Sequence, residues 1–299
     1  MKLLQLLTAS IIAFSSLTIA DTPEDNVTAS EAQYYSEAQK IFDSLTPQHG
    51  EIKLPNGVAI LNVPESFYYL SPEDTETVLV KIWGNPPGVK TLGMLFPSGV
   101  TPFDKDSWGV TVEYQEDGYV SDDNADEIDY AELLTQMKTS VDDANMIRVR
   151  EGYEEISLVG WAEKPYYDKN THKLHWAKEL KFGTQELNTL NYNIRVLGRR
   201  GVLVLNFIAG MDQLELIDSK IETVLNIAEF NEGSRYTDFN PNIDTVAAYG
   251  IGALIAGKVA AKLGILATVL LFLKKFWILA FLGVGAFFKR LFGRKDNDS

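Results

Sequence analysis

Residues 190–206 read LNYNIRVLGRRGVLVLN. Two runs rich in Leu, Val and Ile, Leu190–Leu197 and Val202–Ala209, flank Gly198-Arg199-Arg200-Gly201. Branched and aromatic residues on both sides of a short glycine-bounded turn read as two hairpin strands. A hairpin lays the chain antiparallel to itself, whereas parallel strands need long crossovers. The stretch therefore selects an antiparallel sheet.

The same signature recurs outward. Asn56-Gly57 separates two β-rich runs in GEIKLPNGVAILNVP, a strong hairpin signal. Leu92–Phe96 and Trp108–Tyr114 read as strands, and so do Glu155–Tyr167 and Lys173–Phe182 around the turn Asp168-Lys169-Asn170-Thr171. Helices fall between them. Ser30 with Gln33 forms a capping box opening a helix to about Leu45. Ser71-Pro72-Glu73-Asp74 starts a second that stops at Trp83-Gly84, before Asn85-Pro86-Pro87. Asp129–Val141 and Leu214–Phe230 carry apolar residues at helical spacing. Hairpin-linked strands with helices at intervals make an α+β fold, a mainly antiparallel sheet flanked by helices. The order from about Gly57 to Phe230 resembles the Mog1/PsbP-like α/β/α sandwich.

The ends set the expected compartment. Lys2 precedes an apolar run to Ala20, with small residues at Thr18 and Ala20 and acidic sequence from Asp21. This is the layout of a secretory signal peptide over residues 1–20, followed by an acidic linker, 21–29. The far end, 246–292, is apolar and basic. Nine of the 27 basic residues and two of the 41 acidic ones lie in these ends, so residues 21–245 carry 18 basic against 39 acidic, a net of −21. A domain that acidic is not expected to hold nucleic acid. The chain has no cysteine, which excludes disulfides and thiolate chemistry.

A membrane span takes about 20 apolar residues. There are 11 residues between Lys262 and Lys274 and 13 between Lys275 and Lys289. Three arrangements follow: one crossing that tolerates Lys274–Lys275, a hairpin turning at that pair, or a helix lying in the interface. The basic tail KRLFGRK favours the first, with residues 293–299 cytoplasmic. Ala253, Gly257, Ala260 and Gly264 recur at helical spacing, a row that lets helices approach closely in lipid and self-associate. The expected organisation is a periplasmic domain over 30–240 and a membrane anchor over 246–292.

Several motifs run in fixed order: LPNGVAILNVP (54–64), WGNPP (83–87), LGMLFP (92–97), EDGYVSDDNADEIDYAELL (116–134), GWAEKPYYDKNTHKLHWAKEL (160–180) and YTDFNPNIDTVAAYGIGALIAGKVAAKLG (236–264). In them, and from about residue 30 to 290, the chain resembles the bacterial family of membrane-anchored proteins called domain of unknown function 2167. The resemblance implies a secreted domain tied to the inner membrane of a Gram-negative-type bacterium. It implies no activity and no catalytic residues.

Chemistry-bearing residues read as follows. His172 and His175, three apart, point to opposite faces of a strand and are not expected to share a metal. The acidic run from Asp117 to Asp129 does not fit a calcium-loop frame; Asp122-Asp123-Asn124 instead reads as the cap of the next helix. There is no G-x-S-x-G, P-loop or H-E-x-x-H motif. No catalytic, cofactor or metal residue is therefore assigned. Trp161, Tyr167, His175 and Trp176 form the candidate binding surface, Trp161 and Trp176 lying nearly symmetric about the turn at Lys169-Asn170. The expected function is a membrane-anchored periplasmic interaction protein binding an envelope protein or component. Its expected partners are the lipid bilayer, that envelope component and a second copy through the membrane segment. The alternative is an envelope-acting hydrolase using acidic residues as acid and base.

Overall fold

A computed structural model describes residues 29–54 and 57–256. Helices α1 (Ala29–Phe42), α2 (Pro72–Thr77), α3 (Tyr130–Arg150), α4 (Leu214–Ile227) and α5 (Gly252–Ala256) alternate with ten strands. The strands are β1 (Gly50–Lys53), β2 (Ala59–Val63), β3 (Phe67–Leu70), β4 (Gly93–Pro97) and β5 (Gly109–Gln115), then β6 (Ile156–Asp168), β7 (Lys173–Phe182), β8 (Thr189–Leu197), β9 (Val202–Gly210) and β10 (Ala228–Phe230). Seven form one sheet in the order β3-β4-β5-β9-β8-β7-β6, and three form another in the order β1-β2-β10. Every ladder is antiparallel. The fold is α+β, with antiparallel sheets flanked by helices.

The hairpin of 190–206 is the centre of the large sheet. β8 and β9 pair residue for residue from Thr189↔Gly210 to Leu197↔Val202. Gly201 has no room for a side chain, because a Cβ there would collide with the Gln115 carbonyl of β5. The turn is thereby pinned to the neighbouring strand as well as to its own hairpin.

Side chains alternate across a strand, so each face of the sheet is read every second residue. One face carries Val110, Val112, Tyr192, Ile194, Leu205 and Phe207, which pack with α4 and the small sheet in a continuous apolar core. The opposite face is divided. At one end, β6 and β7 meet α3 and α5 through Leu158, Leu174, Trp176 and Leu180. At the other end, β3 and β4 meet the α2 region through Leu70, Met94 and Phe96.

Local signals explain the element ends. Ser71 accepts a hydrogen bond from the Asp74 amide at 3.2 Å, with Pro72 in the first turn. The helix continues as a π-turn over Val78–Ile82 and ends at Trp83, with Gly84 at positive φ. The helix expected over Asp129–Val141 runs on to Arg150, because Asn145 exchanges hydrogen bonds with the Ile156 backbone (2.7 and 2.9 Å) and ties the last turns to β6. Its cap is Asp129, whose carboxylate accepts from the Ala131 and Glu132 amides, not Asp122-Asp123-Asn124. The helix expected to reach Phe230 stops at Ile227, because residues 228–230 pair with β2.

The domain also extends further than expected. Residues 246–256 fall in the region read as membrane anchor, yet their start is bonded to the domain: the Tyr119 amide donates to Thr245 O and the Ala247 amide donates to Tyr119 O (2.8 Å each). Ile251, Leu254 and Ile255 are buried beside α3. Apolar residues at helical spacing suit a protein core as well as lipid, so composition alone misplaced this boundary. Among the described residues no helix is long and apolar enough to cross a membrane. The rest of the expected anchor and the expected signal peptide lie outside the described residues.

Candidate functional site

Between its two apolar ends the divided face of the large sheet holds a row of buried polar side chains. The pairing Thr111↔Asn206↔Asn193↔Trp176 crosses β5, β9, β8 and β7 at one level. One level to one side runs Glu113↔Val204↔Arg195↔Leu174, and one level to the other Gly109↔Ile208↔Asn191↔Lys178. Glu113, Lys178, Arg195 and the three asparagines are all buried. β8 alone shows the contrast: Leu190, Tyr192 and Ile194 enter the apolar core, and Asn191, Asn193 and Arg195 face the other way.

Several polar atoms of this row have no hydrogen-bond partner among the described residues. They are Thr111 Oγ1, Trp176 Nε1, Asn191 Nδ2, Arg195 Nε and Asn206 Oδ1. A buried group left unsatisfied costs about 1–3 kcal/mol, and such groups are rare in native folds. Two contacts organise the rest. The Asn193 amide nitrogen donates to Asn191 O and Oδ1 (2.9 and 3.0 Å), which fixes the orientation of the Asn191 amide and leaves its nitrogen as a donor. The Arg195 guanidinium lies 4.8 Å over the Trp176 ring, a cation–π stack that fixes both groups.

Electrostatics follow burial. Loss of water, reinforced by the nearby Arg195 charge, pulls the Lys178 ammonium down to about 7. Burial lowers the Arg195 guanidinium to about 10, against the favourable charge of Glu113. At the β7–β8 side the row thus presents N–H donors and cations, and at the β9–β5 side oxygen acceptors. Such an array suits a small polar molecule with an acceptor at one end and a donor at the other.

The residues expected to form one aromatic surface do not do so. Trp176 is 1 % exposed and forms part of the core under α3. His175 is 5 % exposed and faces the opposite side of the sheet, stacked on exposed Tyr166 at 4.8 Å. Burial, with Lys173 nearby, holds its imidazole down to about 4. Trp161 pairs with Lys178, not with Trp176, and its indole N–H donates to Tyr130 O at 3.3 Å. The physical reason is in β6, an edge strand with three register shifts, one of them enclosing Pro165. Edge strands are where proline and bulges are tolerated, and each bulge moves later residues relative to a symmetric ladder. Ala253 lies in α5; Gly257, Ala260 and Gly264 lie outside the described residues.

Tyr167 belongs to a second cluster. Its hydroxyl donates to Asp122 Oδ2 (2.6 Å) and Tyr236 donates to Asp122 Oδ1 (3.0 Å). His172, in the turn at φ 53 rather than on a strand, contacts Tyr167 through Nδ1 at 3.2 Å. Although burial opposes it, the two tyrosine hydrogen bonds hold the Asp122 carboxyl below its ordinary value. The cluster joins the 117–129 loop to the β6–β7 hairpin and to the segment at Tyr236, a structural assignment. The Asp168 side chain closes the hairpin turn as expected, accepting from the Asn170 amide and the Thr171 hydroxyl. Among the described residues no group of three or more His, Asp or Glu is placed to hold a metal ion.

A third cluster was not singled out from sequence. Glu163 of β6 and Asp218 of α4 share a hydrogen bond, and burial and the Asp218 charge raise the Glu163 carboxyl. Tyr192 also donates to Glu163. The polar row was likewise missed. Its signal was present as Asn191, Asn193 and Arg195 at every second position of a strand whose other positions are apolar.

A family model described as Protein of unknown function (DUF2167) matches residues 46–285, and the chain belongs to that family. No curated protein matches it. Among solved structures, the solution structure of cyanobacterial PsbP (CyanoP) from Synechocystis sp. PCC 6803 aligns at 12 % identity over 63 % of this chain and 93 % of that one, with a TM-score of 0.34. A point mutant of the protein Mog1 aligns at 9 % identity over 62 % and 95 %, with a TM-score of 0.29. At these scores neither structure informs the site.

Proposed function

We propose that this member of a family of unknown function is a membrane-anchored binding protein of the bacterial envelope. Its periplasmic domain takes up a small polar envelope component at the buried row on β5, β9, β8 and β7. The signal-like N-terminus, the acidic domain and the basic apolar C-terminal segment support that placement. The observation that carries the binding role is the set of unpartnered polar atoms at the centre of the sheet. An apolar row there would fold at lower cost, so these groups are kept for something they contact.

The test is native mass spectrometry of the full chain, purified from membranes in mild detergent. A small adduct retained by the wild-type chain and lost from Asn206→Val and Trp176→Phe supports the reading. Bare mass in every preparation, together with crosslinks only to protein partners at other surfaces, sinks it. A reporter fused after Ser299 tests the topology and should be active only in the cytoplasm; periplasmic activity overturns the single crossing.

A second reading has its own observation, the Glu163–Asp218 pair. A carboxyl raised by burial and hydrogen-bonded to a second carboxyl is an arrangement that acid–base hydrolysis uses. Turnover of cell-wall glycan by the wild-type chain, abolished in Glu163→Gln, would establish the hydrolase. No turnover by either sinks it.

A further inference from the structure

The chemistry of the ligand follows from which polar atoms are left over. At the β7–β8 side the unpartnered groups are the Trp176 indole N–H, the Asn191 amide nitrogen and Arg195 Nε. An indole N–H and a guanidinium N–H can only donate. Asn191 is set as a donor because Asn193 occupies its oxygen. Lys178 stands directly across the ladder from Asn191. At the β9–β5 side the unpartnered atoms are Asn206 Oδ1 and Thr111 Oγ1. Neighbouring strands lie about 4.8 Å apart, so the donors on β7 and β8 and the acceptors on β9 and β5 are separated by one to three spacings, about 5–14 Å.

We propose that the row is a site for a small molecule carrying a carboxylate at one end and an ammonium or hydroxyl donor at the other. The carboxylate sits between Trp176 and Arg195, and the donor group reaches Asn206 and Thr111. The assignment rests on the binding role proposed above and gives it a ligand class. A carboxylate offers several lone pairs to the Trp176 and Arg195 N–H groups, and a charged acceptor makes hydrogen bonds about twice as strong as a neutral one. Arg195 is held for this task by its stack on Trp176. The 247–256 segment flanks the site, since Tyr249 lies near Arg195.

The experiment is a thermal-shift and calorimetric titration of the full chain in detergent at fixed ionic strength. The probes are 5-aminopentanoate, pentanoate, 1-aminopentane, 1,5-pentanediol and inorganic phosphate. The expected result is saturable stabilisation by 5-aminopentanoate, weaker by pentanoate and absent with 1-aminopentane. Trp176→Phe keeps the ring under Arg195 and removes one donor, so its Kd should rise about two- to tenfold. Asn206→Val should weaken 5-aminopentanoate but leave pentanoate unchanged. Phosphate binding as tightly as 5-aminopentanoate overturns the carboxylate assignment. Equal binding of 1,5-pentanediol overturns the requirement for an anion. Both of those outcomes leave the binding role standing. Equal affinity of wild type and both variants for 5-aminopentanoate overturns the site. The binding role itself fails on its own test, bare mass with crosslinks only to protein partners at other surfaces; an adduct retained while no probe binds overturns the ligand class alone.

Discussion

The two faces of the seven-stranded sheet are built from the same strands and differ in almost every physical respect. Toward α4, β8 and β9 present Leu190, Tyr192, Ile194, Leu203, Leu205 and Phe207, all buried in one apolar core. On the other face the same strands present Asn191, Asn193, Arg195 and Asn206, equally buried, with polar atoms left over. Burying a leucine stabilises the fold by about 1.5–3 kcal/mol, whereas each unsatisfied polar atom costs about 1–3 kcal/mol. One face holds the protein together and the other draws on that stability. That costly arrangement on the central strands, where replacement by valine or leucine is simple, is what the proposed binding role accounts for.

Substitutions on the two faces can break this contrast directly. Leu205→Ala empties part of the apolar core and should destabilise the domain by about 2–5 kcal/mol, read from the denaturant midpoint. Asn206→Val, one residue along and on the other face, should raise stability by about 1–2 kcal/mol in the absence of ligand. A loss as large as that of Leu205→Ala would mean that the polar row is structural and would erase the difference between the faces.

His175 sharpens the comparison from the α4 side. Its imidazole is held at about 4 in the folded chain against 6.5 for an unperturbed histidine. Between those values the unfolded chain binds the extra proton, so stability should fall as pH drops from 6.5 to 4. His175→Gln should flatten that slope while leaving stability at pH 8 nearly unchanged. A slope that persists unaltered in the variant assigns the titration elsewhere.

The smallest effect lies off both faces. Asp244 accepts from Arg199 Nε (2.7 Å) and Arg200 Nε (3.1 Å), tying the β8–β9 turn to the segment that leads to α5. The Arg199 hydrogen bond leads the Asn240 amide and Arg200 in holding its carboxyl at about 2, below the ordinary 3.8. That contribution is present above about pH 4 and is lost as pH falls through 2. Asp244→Asn should therefore reduce stability at pH 7 and remove part of the acid transition. An unchanged acid limb in the variant would show that the bridge contributes nothing.

Much of the fold was legible because its signals are local. The hairpin at Gly198–Gly201, the Ser71 cap, the Asp168 turn and most strand positions depend on a few adjacent residues. Where reading failed, distant residues decided the outcome. Asn145 extends α3 by bonding to the Ile156 backbone, β2 converts residues 228–230 into a strand, and α3 recruits Ile251 and Leu254 into the domain. The aromatic face of 160–180 failed for a related reason, since bulges in β6 reset which residues stand opposite one another.

The sequence by itself determined the class: antiparallel strands from glycine-bounded hairpins, helices from caps and periodicity, and a strongly acidic domain between two apolar ends. Those are properties of neighbouring residues and of composition, and they hold in any packing. Only the tertiary structure decided that Thr111, Asn206, Asn193 and Trp176 form one buried row, because they come from four strands and share a level only through the ladder register. It likewise decided that Trp176 lies in the core and that Glu163 meets Asp218. Register and helix docking are set by the summed burial of the whole apolar core, and no short stretch of chain encodes that sum.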